Sequence, residues 1–556
     1  MKNINLGIAQ TKSEYFFMKE YLKEKKNLAW LPLNLEMFLY YKINKISYIN
    51  PNNLFKSKDH KILNILIENN LKKINFHKIK SSALKERAKG IFRKYINSIM
   101  FFITIVENIK KKNKIDNFFV SGWDSFNFKS KKNNFFISSI CSDIYENTET
   151  LKKGYLENTP VSNYTYFLKN KISFFKNYVI LNNLGYNFTR FIVPFFKKKI
   201  KILVIEKHSI NFIKTFLFKL VGVNFVTLKK KFYKKESKIN LPLIHYKYKK
   251  FDLSKLLNTR KDKIEIEIND LIEKFKPLKK FINKNNPLML LSNHSRGLSG
   301  MICENLHEKK IPTILISHGT LSKGDKISDK NYQKIIAGEL VNSSTEYLCS
   351  QTKITKYSLK TIEFKKKNLD VGNIIFNNKK YITKKSNILY AVTARDFVNM
   401  QFHGIETYFE IFTNLEYLNK IQKKIDSDIL VSLHPNIRHL KKDFIKLFKN
   451  IKFYSTKIDN LLSRSSILIS YSSTVIEEAI CSKIPVILFD QWNRYIHCKS
   501  EKNYKKKNRP VYYLNNKKNL LTTINTILSS DNILFNDYII DGSPKQNIKK
   551  LINKFI

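Results

Sequence analysis

The stretch that decides the fold is ILISYSSTVIEEAICSKIPVILFD, residues 467–490. Ile467–Ile469 is a short β-branched apolar run, which is typical of a buried parallel strand. Hydroxyl side chains follow at Ser472–Thr474, and apolar residues then recur with helical spacing over Val475–Cys481. A second apolar run, Pro485–Phe489, completes the stretch. We therefore predict one strand–helix–strand unit, with a polar turn at the carboxyl end of its first strand.

The polar turn is the chemically informative part of this unit. Backbone N–H groups at a helix start are unpaired and lie at the positive end of the helix dipole, so the turn suits an anion. The hydroxyls of Ser472, Ser473 and Thr474 would add donors for phosphate oxygens. The alternative is a capping box between Thr474 and Glu477, which would stabilise the helix by about 1 kcal/mol. The turn alone leaves both interpretations open.

Composition narrows the class of protein. A chain of 556 residues that is 43% hydrophobic can hold two or three domains with ample core. A net charge of +56 ordinarily suggests nucleic acid or an anionic membrane as partner. Here the excess is lysine spread along the whole chain, beside abundant Asn, Ile, Phe and Tyr, a bias that AT-rich codons produce. Nucleic acid is therefore not the expected partner.

Three lysine runs keep a membrane surface open as a partner. Lys197–Lys199, Lys229–Lys231 and Lys505–Lys507 adjoin apolar or aromatic residues. Each lysine near an anionic leaflet contributes about 1 kcal/mol, although solvated loops would carry the same pattern. Five dispersed cysteines show no disulfide or metal spacing, and we find no signal peptide and no apolar run of about 18 residues. We expect a cytoplasmic protein and leave peripheral attachment to the inner face of a membrane open.

Two series of strands alternate with helices, which predicts parallel sheets. The first series is Tyr178–Leu181, Ile200–Ile205, Val223–Leu228, Leu288–Leu291 and Pro312–Ser317, and the second is Ile388–Val392, Ile429–Leu433, Ile467–Ser470 and Val486–Phe489. The predicted fold class is α/β, with two Rossmann-like domains facing a cleft and an extended N-terminal region. We place the domains at residues 1–377 and 378–556, the second closing with a C-terminal helix.

Residues 1–165 are the least informative part of the chain. Periodicity predicts helices at Ile62–Leu71 and Ala83–Ile109, and short apolar runs suggest strands at Leu28–Pro32 and Phe118–Gly122. We interpret the region as poorly defined helical additions to the first domain, and it holds no catalytic constellation.

Polar loops follow several of the predicted strands. In open parallel sheets ligands bind at the carboxyl ends of strands, so the residues of these loops are candidates for a site. They are His294 and Arg296, then His318, Gly319 and Thr320, then Arg395, His434, and the turn at Ser472, Ser473 and Thr474. A histidine can act as base or acid near neutral pH. The loops of the second series would form one wall of the cleft and those of the first series the other.

Five motifs in this order resemble a known fold family. They are SHGT (317–320), DVGN (370–373), ILYAVTARD (388–396), LHP (433–435) and SYSST (470–474), the last within DNLLSRSSILISYSSTVIEEAICSKIPVILFD (459–490). The pattern resembles GT-B glycosyltransferases and is most similar to the CDP-glycerol glycerophosphotransferase and capsule or surface-polysaccharide group. The resemblance covers about residues 285–556. It departs from the family at Ser470, where the "DYSS" motif has an acid, and at Val392, where the strand motif has proline.

The resemblance implies roles for the candidate residues. It implies donor-phosphate binding by Arg395, His434, Ser472, Ser473 and Thr474, contact of Glu477 or Glu478 with the donor ribose or base, catalysis by His318 as base, and substrate binding by His294, Arg296, Gly319 and Thr320. Arg395 would neutralise the leaving diphosphate, which in this family needs no bound metal. No cofactor is implied, because the nucleotide-activated donor is a substrate.

The implied function is a transferase acting on cell-surface material. It would move a glycosyl or glycerophosphate unit from a nucleotide-sugar or CDP-glycerol type donor to a glycan or lipid-linked acceptor. Three alternatives stay open: a sugar-nucleotide 2-epimerase of the same two-domain shape, a basic nucleic-acid-binding protein, and a degenerate, non-catalytic GT-B subunit.

Overall fold

The structure is a computed structural model. It describes residues 2–51, 54–55, 57–72, 74–121, 141, 144–151, 164–168, 177–182, 186–196, 199–205, 212–232, 239–316, 326–327, 344–356, 367–374, 387–393, 406–493 and 495–556. Three parallel sheets organise these residues, one in an N-terminal unit and one in each of two Rossmann-like halves.

The N-terminal unit, residues 2–150, is built on a four-stranded parallel sheet of order β2-β1-β3-β4. Its elements are β1 (Lys2–Ile8), α1 (Lys12–Tyr21), β2 (Leu28–Trp30), α2 (Leu35–Ile43), α3 (Ser57–Leu71), α4 (Ser82–Lys110), β3 (Asn113–Val120) and β4 (Thr148–Thr150). The two helices and two strands expected from the sequence are present, but the region holds a complete sheet and not only helical additions. The sequence conceals β1 because Lys2, Asn3 and Asn5 interrupt its apolar residues.

The first Rossmann-like half has a seven-stranded parallel sheet of order β16-β15-β13-β12-β6-β7-β8. Its elements are β5 (Tyr164–Leu168), β6 (Tyr178–Asn182), α5 (Tyr186–Ile192), β7 (Lys201–Ile205), α6 (Phe212–Leu220), β8 (Val223–Phe225), β9 (Leu228–Phe232), β10 (Lys247–Tyr248), β11 (Phe251–Asp252), α7 (Ser254–Lys284), β12 (Met289–Ser292), α8 (Gly297–Glu308), β13 (Thr313–Leu315), β14 (Lys326–Ile327), β15 (Tyr347–Ser350) and β16 (Lys367–Asp370). Strands β6 and β12 are buried along their whole length, as their unbroken apolar runs predict.

The second Rossmann-like half has a six-stranded parallel sheet of order β19-β18-β17-β20-β21-β23. Its elements are β17 (Asn387–Ala391), α9 (Glu406–Ile421), β18 (Ile429–Ser432), α10 (Lys441–Leu447), β19 (Lys452–Tyr454), α11 (Ile458–Leu462), β20 (Ser465–Ser470), α12 (Val475–Cys481), β21 (Val486–Phe489), β22 (Tyr495–Ile496), β23 (Val511–Leu514), α13 (Leu520–Leu528) and α14 (Pro544–Phe555). The strand–helix–strand unit predicted from residues 467–490 is β20, α12 and β21. The predicted fold class, α/β with two Rossmann-like parallel sheets, is confirmed.

The carboxyl edges of the two Rossmann-like sheets are directed toward a common region. Strand β14 follows the carboxyl end of β13 in the first half, and β22 follows the carboxyl end of β21 in the second. The two strands pair antiparallel, with Lys326 opposite Ile496 and Ile327 opposite Tyr495. This pairing joins the chain that follows β13 in the first half to the chain that follows β21 in the second.

The C-terminal helix α14 returns to the first half. Ile548, Leu551 and Ile552 are buried in the core of the seven-stranded sheet. The ring of Phe555 packs edge-on against Tyr347 of β15, with centroids 4.8 Å apart. The domain boundary predicted after residue 377 lies outside the described residues.

The N-terminal unit contacts both halves. On one side Phe38 of α2 packs edge-on against Phe412 of α9, with ring centroids 5.2 Å apart. On the other side α4 packs against α8 so closely that a Cβ on Gly300 would lie 2.3 Å from the Cβ of Ala83. Glycine is required at that position because any side chain would force the two helices apart.

Candidate functional site

Three neighbouring strands carry the candidate donor loops of the second half. Strand β17 lies between β18 and β20 and is parallel to both, with Ala391 opposite Ser432 and Tyr390 opposite Ile469. Since neighbouring strands lie about 4.8 Å apart, the loops after β18 and β20 emerge roughly 10 Å from each other at one edge of the sheet. The sequence-based expectation that these loops lie together is therefore met by the strand order.

The turn after β20 is fixed by hydrogen bonds to neighbouring residues, and its hydroxyl-bearing side chains are partly exposed. The Thr393 hydroxyl donates to the Ser472 carbonyl over 3.1 Å, which ties this turn to the loop after β17. The Ser473 hydroxyl accepts from the Val475 N–H over 3.3 Å at the start of α12. Ser472, Ser473 and Thr474 are each partly exposed. The turn thus presents polar groups to the edge of the sheet from a fixed backbone.

The capping box that the sequence allows does not form among the described residues. Thr474 has helical backbone angles, φ −60° and ψ −22°, and its side chain makes no capping hydrogen bond. A residue with helical angles cannot point its hydroxyl back at the next backbone N–H groups as an extended N-cap residue does. The hydroxyl of Ser473 caps the helix start instead.

His434 stands where β18 ends. The backbone on either side is fixed, because the Leu433 N–H donates to the Tyr454 carbonyl over 3.1 Å and the Ile437 N–H donates to the His434 carbonyl over 2.9 Å. The second bond opens the 3₁₀ turn Pro435–Leu440. The imidazole is partly exposed at the same sheet edge as the hydroxyl turn.

The adjacent carboxylates of α12 occupy different environments. Glu477 is 2% exposed, and its Oε1 lies 3.9 Å from Nε2 of His497, which is also 2% exposed. Within the described residues that oxygen accepts no hydrogen bond. Glu478 is only partly covered, and burial, followed by the charges of Asp459 and Glu477, raises the pKa of its carboxyl to about 8.

His497 is the residue of this site that sequence reasoning missed. It lies 20 positions after Glu477 and follows β22, the strand that pairs with the first half. No spacing in the sequence connects it to α12, because the contact depends on the return of the chain through β21. The contact joins α12 to the segment that follows β22.

The first half contributes a hydrogen-bonded group at the carboxyl ends of β6 and β12. The Asn182 side chain donates to the Ser292 hydroxyl over 3.1 Å, and that hydroxyl donates to the His294 carbonyl over 2.5 Å. These bonds fix the loop that carries His294 and Arg296, both of which are partly exposed. Gly297, with φ +51°, then turns the chain into α8.

Four of the predicted site residues lie outside the described residues: His318, Gly319, Thr320 and Arg395. Of the others, the structure gathers His434, Ser472, Ser473 and Thr474 at one sheet edge, places Glu478 in the helix that follows, and holds His294 and Arg296 at the carboxyl edge of the other sheet. Glu477 is turned inward from the same helix as Glu478.

At the carboxyl edge of the six-stranded sheet, the available side chains can bind an anion next to an uncharged carboxyl group. Hydroxyls and an imidazole can donate to phosphate oxygens, and a carboxyl with a pKa near 8 is largely protonated at pH 7 and does not repel an anion. The described part of the chain contains no cluster of three or more His, Cys, Asp or Glu side chains arranged to hold a metal ion. It also contains no helix long and apolar enough to cross a membrane.

Comparison with known proteins gives structural likeness only. No protein-family model and no curated protein matches the sequence. Solved GT-B structures that resemble it include Methanocaldococcus jannaschii UDP-GlcNAc 2-epimerase in complex with UDP-GlcNAc and UDP, at 14% identity and TM-score 0.40, covering 68% of this chain and 99% of that one.

Two transferases are also among the similar structures. The wall teichoic acid polymerase TagF has 14% identity and TM-score 0.34, covering 68% of this chain and 88% of that one. Phytolacca americana UGT2, complexed with UDP-2-fluoroglucose and pterostilbene, has 11% identity and TM-score 0.34, covering 58% of this chain and 82% of that one. The proposals below rest on the residues of this chain.

Proposed function

We propose that the protein is a GT-B transferase that moves a glycosyl or glycerophosphate unit from a nucleotide-activated donor to a surface-polysaccharide or lipid-linked acceptor. The observation that carries the proposal is the strand order β18-β17-β20, which brings His434 and the hydroxyls of Ser472–Thr474 to one edge of the sheet. A span of roughly 10 Å between the outer two loops accommodates a nucleotide diphosphate.

In this proposal the side chains at this sheet edge bind the leaving group of the donor. As the donor bond breaks, negative charge develops on the leaving nucleotide, which is a diphosphate when a glycosyl unit moves from an NDP-sugar and a monophosphate when a glycerophosphate unit moves. Fixed donors aimed at that charge lower the barrier. His434 and the hydroxyl of Ser473 would supply such donors, and Arg395 would add a full positive charge. The backbone bonds that fix the two loops mean that little reorganisation is needed as the charge appears.

The two carboxylates take different roles. Glu478, partly open and near the hydroxyl turn, would hydrogen-bond the donor ribose. Glu477 would support the site from below through His497, whose Nε2 lies 3.9 Å from its carboxylate. On the acceptor side, His318 would remove the proton of the attacking hydroxyl, with His294 and Arg296 on the facing edge.

Calorimetry with a panel of CDP-, CMP-, UDP-, GDP- and dTDP-linked donors tests the donor site. We expect one nucleotide class to bind, and His434→Ala and Ser473→Ala each to weaken that binding about tenfold or more, as loss of a charge-assisted hydrogen bond predicts. Matched controls are His439→Ala, exposed on the same 3₁₀ turn, and Ser463→Ala, at the opposite end of β20. Both controls should bind like the wild type.

Two results would count against the proposal. Absence of binding by every donor class, or equal binding by the site variants and their controls, would remove the donor site from this edge. Once a donor is known, proton NMR of that donor after incubation without acceptor separates the activities. A transferase leaves the sugar configuration unchanged, whereas an epimerase changes it at one carbon.

A further inference from the structure

Helix α6 presents an apolar stripe to solvent. Phe212 is 85% exposed, Phe216 56% and Leu220 67%, and they recur every four residues, which places them on one side of the helix. Ile213, Leu217 and Val221 flank this row and are also more than half exposed. All nine residues of the helix are described, and Phe218 is the one that is buried. A helix of a globular domain ordinarily turns such a stripe toward the core.

The surroundings of the stripe are strongly basic. Residues 186–232 contain eleven lysines and arginines and a single acidic residue, Glu206. Arg190 and Lys201 are exposed and line the groove beside α6, and Lys219 is exposed on the helix itself. Helix α6 itself carries two lysines and no acid. The surface therefore combines exposed aromatic and aliphatic groups with cations, and a basic partner would be repelled from it.

A groove beside the helix has the same mixed character. It has a volume of about 810 Å³, an apolar floor that includes Val193, Phe196 and Ile202, and basic side chains that include Lys201 and Lys214. An apolar floor with cations among the lining groups suits an amphiphile whose head is anionic.

The position of α6 relates the stripe to the candidate site. The helix connects β7 to the edge strand β8, and both strands run parallel to β12 in one sheet. Since the helix begins after the carboxyl end of β7, its first residues lie toward the sheet edge that carries His294 and Arg296. A surface bound to Phe212 and Ile213 would thus adjoin the opening of the acceptor side.

We infer that α6 docks the protein on an anionic phospholipid bilayer, its apolar stripe entering the headgroup region and the surrounding lysines pairing with lipid phosphates. Interfacial helices bind by this combination of buried apolar area and attraction to anionic lipids. The inference rests on the surface itself and holds whether or not the transferase activity is found.

Co-sedimentation with vesicles tests the inference. The full chain should bind vesicles of phosphatidylglycerol and phosphatidylcholine, and bind about tenfold more weakly to phosphatidylcholine alone or in 0.5 M salt, because screening weakens attraction to the lipid phosphates. The double variant Phe212→Gln/Leu220→Gln should lose about tenfold or more of the binding to mixed vesicles. Its matched control is Leu243→Gln/Leu534→Gln, at residues 66% and 72% exposed elsewhere on the surface.

Three outcomes would overturn the inference. The wild type could fail to bind anionic vesicles, or both double variants could lose binding equally. The protein could also self-associate in sedimentation velocity without binding vesicles, with the association abolished by Phe212→Gln/Leu220→Gln, which would make the stripe an interface between two copies. Unchanged circular dichroism and thermal unfolding of the variants establish that the altered residues act at the surface.

Discussion

At the scale of single residues, the main finding is that two adjacent glutamates of α12 differ in environment. Glu477 is buried against His497, whereas Glu478 is partly open and carries a raised pKa. A helix of seven residues thus supplies one carboxylate to the interior and one to the candidate site. The sequence could not separate them, because periodicity alone puts both on the polar side and the partner of Glu477 comes from another element.

Because the two environments differ, we expect substitution of Glu477 to affect mainly the stability of the fold and substitution of Glu478 to affect mainly donor binding. Glu477→Gln should lower the free energy of unfolding by about 2–3 kcal/mol, because His497 loses its buried charged neighbour. Glu478→Gln should change the free energy of unfolding by less than about 1 kcal/mol at pH 6 while weakening donor binding. Urea unfolding and donor calorimetry on both variants measure the two effects. Equal effects of the two substitutions on both quantities would contradict the assignment.

The raised pKa of Glu478 predicts a pH dependence of stability. Burial shifts the pKa from the ordinary 4.5 to about 8, so the folded protein holds this proton more tightly than the unfolded chain. The resulting stabilisation is complete below about pH 4.5 and is lost as pH rises through 8. Relative to Glu478→Gln, the wild type should therefore lose roughly 4 kcal/mol of unfolding free energy between pH 5 and pH 8.5.

Urea unfolding at pH 5, 6.5 and 8.5 measures that difference. Glu20→Gln, at an exposed side chain of α1, is the control and should follow the wild type at every pH. A constant gap between wild type and Glu478→Gln across this range would show that the carboxyl is already ionised at pH 5.

At the scale of elements, β17 and β20 share a polar junction at their carboxyl ends. Ser470 is 2% exposed and its hydroxyl donates to the Ala391 carbonyl over 3.2 Å. This is the position where the resembling family has an acid. In this chain the residue links two strands within the core, so the departure of the motif has a structural consequence.

Restoring the acid should therefore be harmful. Ser470→Asp places a carboxylate against a carbonyl oxygen in a buried position and should cost about 3 kcal/mol or more in unfolding free energy. Ser470→Ala, which only removes the hydrogen bond, should cost about 1 kcal/mol. Thermal or urea unfolding compares them. An aspartate variant as stable as the alanine variant would mean that the junction admits water or rearranges.

The elements also show which parts of the fold the sequence predicts. Strands β20 and β21 are continuous apolar runs, and the α12 boundaries agree because Ser472–Thr474 and Ser482 break those runs. Strand β1 was missed, since a short strand with lysine and asparagine among its apolar residues resembles a loop. The capping box was an open alternative that fails, because the backbone angles at Thr474 follow from packing and not from the local sequence.

For the edge of the six-stranded sheet, the sequence predicts which loops lie together but not the contacts between them. Parallel strands place their carboxyl ends together, so the proximity of His434 and Ser473 follows from the predicted strands alone. The tie from Thr393 to Ser472 and the pairing of β14 with β22 depend on tertiary packing, which no local pattern encodes.

At the scale of the whole molecule, the N-terminal unit is joined to the first half by a carboxylate at a helix start. Glu304 of α8 accepts from the Ser81 hydroxyl over 2.6 Å and from the Ala83 N–H over 2.8 Å, at the N-terminus of α4. A carboxylate there satisfies an unpaired donor and meets the positive end of a 29-residue helix.

Removing that carboxylate should loosen the junction. Glu304→Ala should lower the unfolding free energy by about 1–2 kcal/mol, the usual value of a helix cap. Glu308→Ala, one turn further along α8 and exposed, is the control and should cost less than about 0.5 kcal/mol. Urea unfolding distinguishes them, and limited proteolysis should cut the Glu304 variant faster between the two parts. Equal stability of both variants would contradict this role.

We expect a nucleotide diphosphate to bind at the edge formed by β18, β17 and β20. Hydrogen exchange measured by mass spectrometry, with and without each nucleotide diphosphate, locates the binding site. Exchange should slow in peptides that cover residues 433–438 and 471–478, with no change in peptides that cover β6 and β12 of the facing sheet. Protection confined to the facing sheet, or no protection at any site with every nucleotide at millimolar concentration, would contradict it.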